Sequence, residues 1–172
     1  MIYAKVHTYN GSETTVATVL EPTEGFDAFD VPDETCLEIV GGVVVAKSQA
    51  TIDAAALLVA KTAKIEELEA AYNAAISADV TYNAVVFQSG DTTRQNLSEA
   101  VANYVASANT LPDPFTWRAK DNSDVAFTTT DIKALAALVG TQKTTAIYNL
   151  QTKKDATTAA STIAAVNTIS WG

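Results

Sequence analysis

The chain has 172 residues, a hydrophobic fraction of 48%, a charged fraction of 18% and a formal net charge of −9, which is typical of one medium or two small folded domains. This charge argues against nucleic-acid and anionic membrane partners, because both need clustered Lys and Arg side chains. The single cysteine, Cys36, excludes an intramolecular disulfide, and no apolar run is long enough to span a bilayer.

Residues 1–48 are predicted to form a β-rich docking module that begins with a hairpin over residues 1–20. Apolar and polar residues alternate from Ile2, and Asn10-Gly11 supplies the positive φ angles of a tight turn. This N-terminus lacks the basic start and apolar block of a signal peptide. We therefore expect the chain to be made and folded in a reducing cytoplasm.

A second hairpin is predicted over residues 36–47, with its turn at Gly41-Gly42. Cys36 is expected to be a small buried residue of its first strand. Phe26 and Phe29 lie in the preceding connection and are expected to pack onto a neighbouring element. Two such hairpins are marginally stable alone, so the module is expected to need the rest of the chain or another subunit.

Residues 49–79 are predicted to form one long connecting helix. The segment has no Gly or Pro, is dominated by strong helix formers, and repeats Leu58, Ile65 and Tyr72 every seven residues. Its expected length is roughly 40 Å. Two roles are open for it: self-association, or packing within its own chain.

Residues 80–172 are predicted to form an α+β domain that opens with a strand over residues 81–88. Thr92 and Gln95 have the spacing of a capping box for the next helix, beside Asp91. Its apolar stripe consists of Leu97, Ala100, Val101, Tyr104 and Val105.

The rest of this domain is predicted to contain a strand pair and two helices. Residues 115–117 and 125–127 are expected to pair around the polar turn 120–124. Thr128 and Asp131 indicate a second capping box, and Gly140 a kink or close contact within that helix. Asp155 is interpreted as the N-cap of a last helix to about Val166, before a tail that packs back through Ile169 and Trp171.

Residues suited to catalysis or metal binding are few. The only histidine, His7, is interpreted as a surface strand residue, although two neighbouring hairpins permit a pair with Cys36. Asp121, Asn122 and Asp124 suggest a calcium loop, but the following residues do not fit the EF-hand pattern, and a hairpin turn is favoured. We therefore predict no enzyme activity and no cofactor.

Trp117, at a strand end beside Arg118, has two interpretations. It is either a core tryptophan that covers the adjacent helix or a platform on which a sugar stacks.

The order of signals from Ile65 to Trp171 resembles a known domain. KIEELEAAYNAAISADV leads into TYNAVVFQS, followed by DTTRQNLSEAVA, FTWRAKDNSDVAFT, TDIKALAALVG and a terminal AVNTISW. This order is similar to that of a domain of unknown function at the C-terminus of small tail-fibre-associated or tail-fibre assembly proteins of tailed bacteriophages.

That resemblance implies a protein–protein role in a phage tail, without catalysis or a cofactor. The preferred hypothesis is a structural or adaptor protein of the virion, bound to other baseplate or tail-fibre proteins and able to form a homo-oligomer. The alternatives are a tail-fibre assembly chaperone that is absent from the mature virion, and a carbohydrate-binding receptor module. Exposed hairpin edges are the expected partner contacts: Tyr3, Lys5, Tyr9, Val43, Val45 and Lys47.

Overall fold

The computed structural model describes residues 1–9, 12–19, 24, 26–31, 34–108 and 110–172, and the side chains of residues 7–9, 12–19 and 34 lie outside that description. It confirms the predicted α+β class, with antiparallel strand pairs, one long helix, and C-terminal helices with short hairpins. By its internal contacts the chain divides into two compact units, residues 1–59 and residues 60–172.

The N-terminal unit contains both predicted hairpins. Its described strands are β1 (Ile2–Tyr9), β2 (Ser12–Val19), β3 (Asp27–Phe29), β4 (Leu37–Val40) and β5 (Val43–Ala46). β1 pairs antiparallel with β2 and also with β3, so it is the central strand of a three-stranded sheet. β4 and β5 pair around Gly41-Gly42, whose φ angles are 59° and 80°. The predicted turn at Asn10-Gly11 lies outside the described residues.

A small apolar core lies between these strand pairs. Phe29 packs against it, as predicted. Cys36 is buried as expected, but the prediction that it lies in a strand is wrong, because it closes the 3₁₀ turn Glu34–Cys36 just before β4. The buried residues of this core are Ile2, Ala4, Leu37 and Val44.

The long helix and the C-terminal elements follow the predicted order. They are α1 (Gln49–Ser77), β6 (Val80–Tyr82), β7 (Val85–Phe87), α2 (Asp91–Ala106), β8 (Thr116–Arg118), β9 (Asp124–Ala126), α3 (Thr129–Ala159) and α4 (Ile163–Asn167). The main core of the C-terminal unit lies between the β6–β7 hairpin, the β8–β9 hairpin, α2 and α3. Its buried residues are Val80, Phe87, Leu97, Ala119, Phe127, Ile132, Leu135 and Val139.

The prediction of one strand over residues 81–88 is wrong, because the chain folds there into the hairpin β6–β7. Asn83 and Ala84 form its turn, with φ angles of 48° and 63°. Two consecutive positive φ angles normally select Asn-Gly or Asp-Gly. An alanine in the left-handed region is strained. Because alanine stands where glycine is usual, the sequence pattern did not indicate this turn.

The two predicted capping boxes have different outcomes. The prediction of a Thr92–Gln95 box is wrong. Helix α2 begins at Asp91, and its N-cap is Gly90, which makes no side-chain cap hydrogen bond. Gln95 donates instead to Glu99 over 3.0 Å. The Thr128–Asp131 box is confirmed at the start of α3.

Three further expectations in the helices are corrected. α3 continues through Asp155, so that residue is not an N-cap, and the short α4 is capped by Thr162. Of the two possibilities at Gly140, the close contact is wrong, since nothing lies within 4 Å of a Cβ at that position, while the kink stays a prediction. Val105 is 63% exposed and is not part of the buried stripe of α2. The tail does pack back as predicted, with the Trp171 ring 6.5 Å from that of Tyr72.

The C-terminal end of α1 is held by side chains from three other segments. Ser89 Oγ donates to the carbonyl oxygens of Ile76 and Ala78, over 3.2 and 2.5 Å. Arg94 Nη1 donates to the carbonyl oxygens of Ile76 and Ser89, and Gln142 Nε2 to that of Ala78 over 2.7 Å. The last carbonyl groups of a helix have no hydrogen-bond partner within it, so these donors supply their hydrogen bonds. The same carbonyl groups carry partial negative charge, so the Arg94 cation also stabilises them electrostatically.

Replacement of Arg94 tests this arrangement. Arg94→Met keeps much of the side-chain volume but removes charge-assisted hydrogen bonds in a part-buried site, so it is expected to lower the free energy of unfolding by about 2–3 kcal/mol. Urea denaturation measures the difference. The control is Arg118→Met, which loses a surface ion pair with Asp124 and is expected to cost less than about 1 kcal/mol. Equal losses in both variants would contradict a special role for Arg94.

The Asp131 carboxylate joins the β6–β7 hairpin to the start of α3. Its Oδ2 accepts hydrogen bonds from the hydroxyl and the backbone N–H of Thr128, and its Oδ1 accepts one from the Tyr82 hydroxyl over 2.8 Å. These donors, the Thr128 hydroxyl first, lower the pKa of Asp131 below its ordinary value of 3.8. A lowered pKa in the folded state means that the ionised carboxylate stabilises the fold.

The stabilisation from Asp131 is expected to depend on pH. It is fully present above the ordinary pKa of 3.8 and is lost as the pH falls through the lower folded-state pKa. The difference in free energy of unfolding between wild type and Asp131→Asn should therefore be constant near neutral pH and shrink in acid. Denaturation between pH 7 and pH 2.5 measures this difference in free energy, because the acid end of that range reaches the pH at which the carboxylate titrates. A difference that stays constant or grows in acid would contradict the assignment.

Candidate functional site

The β4–β5 hairpin of the N-terminal unit presents an exposed apolar surface. Val40 and Val43 face each other across the ladder and are 58% and 56% exposed. Val45 lies on the same face of β5, while Val44 between them points into the core. Val40, Val43 and Val45 are called the hairpin surface below.

The hydrogen-bond pattern leaves one edge of β5 open. β5 pairs with β4 alone among the strands of the described part of the chain. The Lys47 N–H donates to the Cys36 carbonyl over 2.8 Å, so alternate residues bond toward β4. By that alternation the N–H groups of Val44 and Ala46 point away from β4. They can donate hydrogen bonds to the carbonyl groups of a further strand.

The remaining predicted contact residues are less suited to strand addition. The predicted open edge at Tyr3 is wrong, because β1 is paired on both sides there. Lys5 lies over the Phe26 ring, with Nζ 4.5 Å from its centroid. Lys47 is half-buried and donates to the Thr35 carbonyl over 2.6 Å. The side chains of Tyr9 and His7 lie outside the described part of the chain.

The charge of the protein is concentrated in this unit. Residues 1–59 contain nine Asp and Glu residues against two lysines, which is seven of the nine net negative charges of the chain. Residues 60–172 are nearly balanced. A partner that binds the N-terminal unit therefore meets a unit of strongly negative net charge.

The C-terminal unit contains a cleft of about 350 Å³ beside Trp117. A volume of this size falls within the range of about 300–1,000 Å³ that small-molecule sites occupy. Arg118 is the only ionisable residue among those that line it. The lining residues are Gln88, Thr92, Thr93, Asn96, Trp117, Arg118, Ala119 and Asn122, and they are called the Trp117 cleft below.

Trp117 occupies an intermediate position between its two predicted roles. It packs against the main core but remains partly exposed, and it also borders a second cleft of about 460 Å³. Asn96 lines both clefts. The two clefts are therefore adjacent along one aromatic side chain.

A rigid turn forms one wall of the Trp117 cleft. Asp121 Oδ1 accepts hydrogen bonds from the Ser123 N–H and hydroxyl over 2.9 and 2.7 Å, and the Ser123 hydroxyl is the larger cause of a pKa below the ordinary value for Asp121. Asn122 has a φ of 69°, and the Lys120 N–H donates to the Val86 carbonyl over 2.9 Å. The predicted hairpin turn is thus confirmed, and its position is fixed against β7.

The carboxylates of this turn are engaged with protein groups. Asp121 binds Ser123, and Asp124 forms an ion pair with Arg118 over 3.0 Å. Among the residues that the structure describes, no group of three or more His, Cys, Asp and Glu side chains is arranged to hold a metal ion. Within the same residues, no helix is both long and apolar enough to cross a membrane.

Sequence reasoning found Trp117 but missed the polar residues around it. Gln88 follows β7, Asn96 lies on α2 and Asn122 lies in the β8–β9 turn. No spacing in the chain relates these three segments, because only the fold brings them together.

In comparison with known proteins, a family model described as a domain of unknown function (DUF4376) matches residues 59–170. No curated protein and no solved structure matches the chain. The matched stretch is well over half of the 172 residues. The chain belongs to the DUF4376 family.

Proposed function

We propose that the protein is a non-enzymatic structural or adaptor protein of a bacteriophage tail, at the baseplate or the tail-fibre attachment. The link to phage tails comes from the resemblance in residue order between Ile65 and Trp171, a stretch that the family match largely covers. The observation that carries the adaptor role is the open edge of β5 next to the hairpin surface.

The expected partner segment is an extended strand of another tail protein. An open strand edge binds such a segment through main-chain hydrogen bonds, while alternate side chains supply specificity. The exposed Val43, and Val45 on the same face of β5, would pack against apolar side chains of the added strand. Burial of these two valines contributes favourably at about 25 cal/mol per Å² of apolar surface.

The charge of the N-terminal unit specifies the partner further. Its seven net negative charges favour a segment that carries Lys or Arg, and repel an acidic one. A soluble tail protein with a basic, extended docking segment satisfies both conditions. Association is expected to weaken as the salt concentration rises.

Ala46→Pro tests the docking edge. It removes an N–H that points away from β4, so the hydrogen bonds of the β4–β5 ladder remain while strand addition is blocked. In a phage that encodes this protein, mass spectrometry of purified particles should detect the wild-type chain. The proline variant should be reduced in particles by about tenfold or more, equivalent to about 1.4 kcal/mol of docking free energy.

Ala46→Thr is the matched control, since it retains the N–H and suits a strand. It should enter particles like the wild type, and both variants should keep the wild-type circular dichroism spectrum. Normal incorporation of the proline variant would contradict docking through β5. Absence of the wild-type chain from particles, with capture of a fibre protein in the lysate, would contradict the structural role and favour the assembly chaperone.

A further inference from the structure

We propose that the Trp117 cleft binds a neutral carbohydrate, with one sugar ring stacked on the indole. This inference stands on the C-terminal unit alone and does not depend on the proposed tail role. Three properties of the cleft carry it: a partly exposed aromatic ring, amide groups without protein partners, and a balanced charge.

The aromatic ring is the indole of Trp117. Its side chain is partly exposed and forms a wall of both adjacent clefts. The face of an indole ring is electron-rich, and the C–H groups on one face of a sugar ring are apolar and weakly positive. A sugar ring can therefore stack there while its hydroxyl groups point toward the rim.

The rim offers hydrogen-bonding groups of the matching kind. The side-chain amides of Gln88, Asn96 and Asn122 line the cleft, are exposed, and make no hydrogen bond within the described part of the chain. Each amide has two donors and an acceptor oxygen, so it can bind a hydroxyl group as donor and acceptor together. The turn that carries Asn122 is fixed by Asp121, so the backbone from which this amide extends is held in position before a ligand arrives.

The charge of the cleft favours a neutral ligand over an acidic one. The Arg118 guanidinium is paired with the Asp124 carboxylate over 3.0 Å and donates to the Asn122 carbonyl over 3.2 Å. Its charge is thus balanced by the protein. No second cation lines the cleft to hold a carboxylate, sulfate or phosphate group.

A glycan array tests the proposal with the full-length protein. The probes are neutral hexose and N-acetylhexosamine oligosaccharides, with sialylated and uronic-acid oligosaccharides as the acidic set. We expect binding within the neutral set. Titration of the strongest neutral probe, followed by ¹H–¹⁵N NMR, should shift the indole N–H signal of Trp117 and leave that of Trp171 unchanged as an internal reference.

Variants locate the site. Trp117→Ala is expected to weaken binding about tenfold or more. Because Trp117 also packs against the core, this variant is expected to lose stability as well. Asn96→Ala and Asn122→Gly avoid that difficulty, since Asn96 is exposed and glycine tolerates the φ of 69° at position 122. Each is expected to weaken binding about two- to tenfold through loss of a hydrogen bond.

Asn73→Ala is the control, because Asn73 is an exposed amide of the same unit that does not line the cleft. It should bind like the wild type. The proposal is overturned if no neutral probe binds at millimolar concentration, if only acidic probes bind, or if Asn96→Ala and Asn122→Gly bind as tightly as the wild type.

Discussion

The arrangement of the C-terminal unit depends on the hydrogen bonds made to the carbonyl groups at the end of α1. A helix of 29 residues ends there, and the carbonyl groups at its end lie in a partly buried setting, where unpaired acceptors are costly. Ser89, Arg94 and Gln142 supply the donors, and they come from the loop after β7, from α2 and from α3. One cluster therefore fixes three segments around a single helix end. Arg94 also donates to the Ser89 carbonyl, and Ser89 and Gln142 share the Ala78 carbonyl, so loss of one donor is expected to disturb the others.

This constraint reaches the Trp117 cleft through short, well-defined contacts. Ser89 follows Gln88, a cleft residue, and Arg94 lies on the first turns of α2 close to Asn96. The Lys120–Val86 hydrogen bond ties the opposite wall to β7. The residues that line the cleft are thus positioned by the same segments that supply hydrogen-bond donors to the end of α1. Its polar residues gain their arrangement from the packing of neighbouring elements, not from a local motif.

The sequence predicted the fold well where the signal was local and periodic. The long helix α1, the Thr128–Asp131 box and the β4–β5 hairpin each follow from spacing within a few residues. The errors arose where a tertiary contact overrides a local preference. Ala84 occupies a turn position that normally takes glycine, and α2 begins at Asp91, one residue earlier than its apparent Thr92 cap. The open edge was placed correctly at β5 but not at Tyr3, because the pairing of β3 with β1 joins distant segments.

We propose that this acidic N-terminal unit docks other tail proteins through the β5 edge. A photo-cross-linking amino acid at position 43, in cells that produce the phage, tests it most directly, with the same group at exposed Tyr148 as the control. The account predicts a cross-link from position 43 to a Lys- or Arg-containing segment of a second tail protein, and none to that segment from position 148. Cross-links from position 43 only to other copies of this chain, or none in assembled particles, would contradict it.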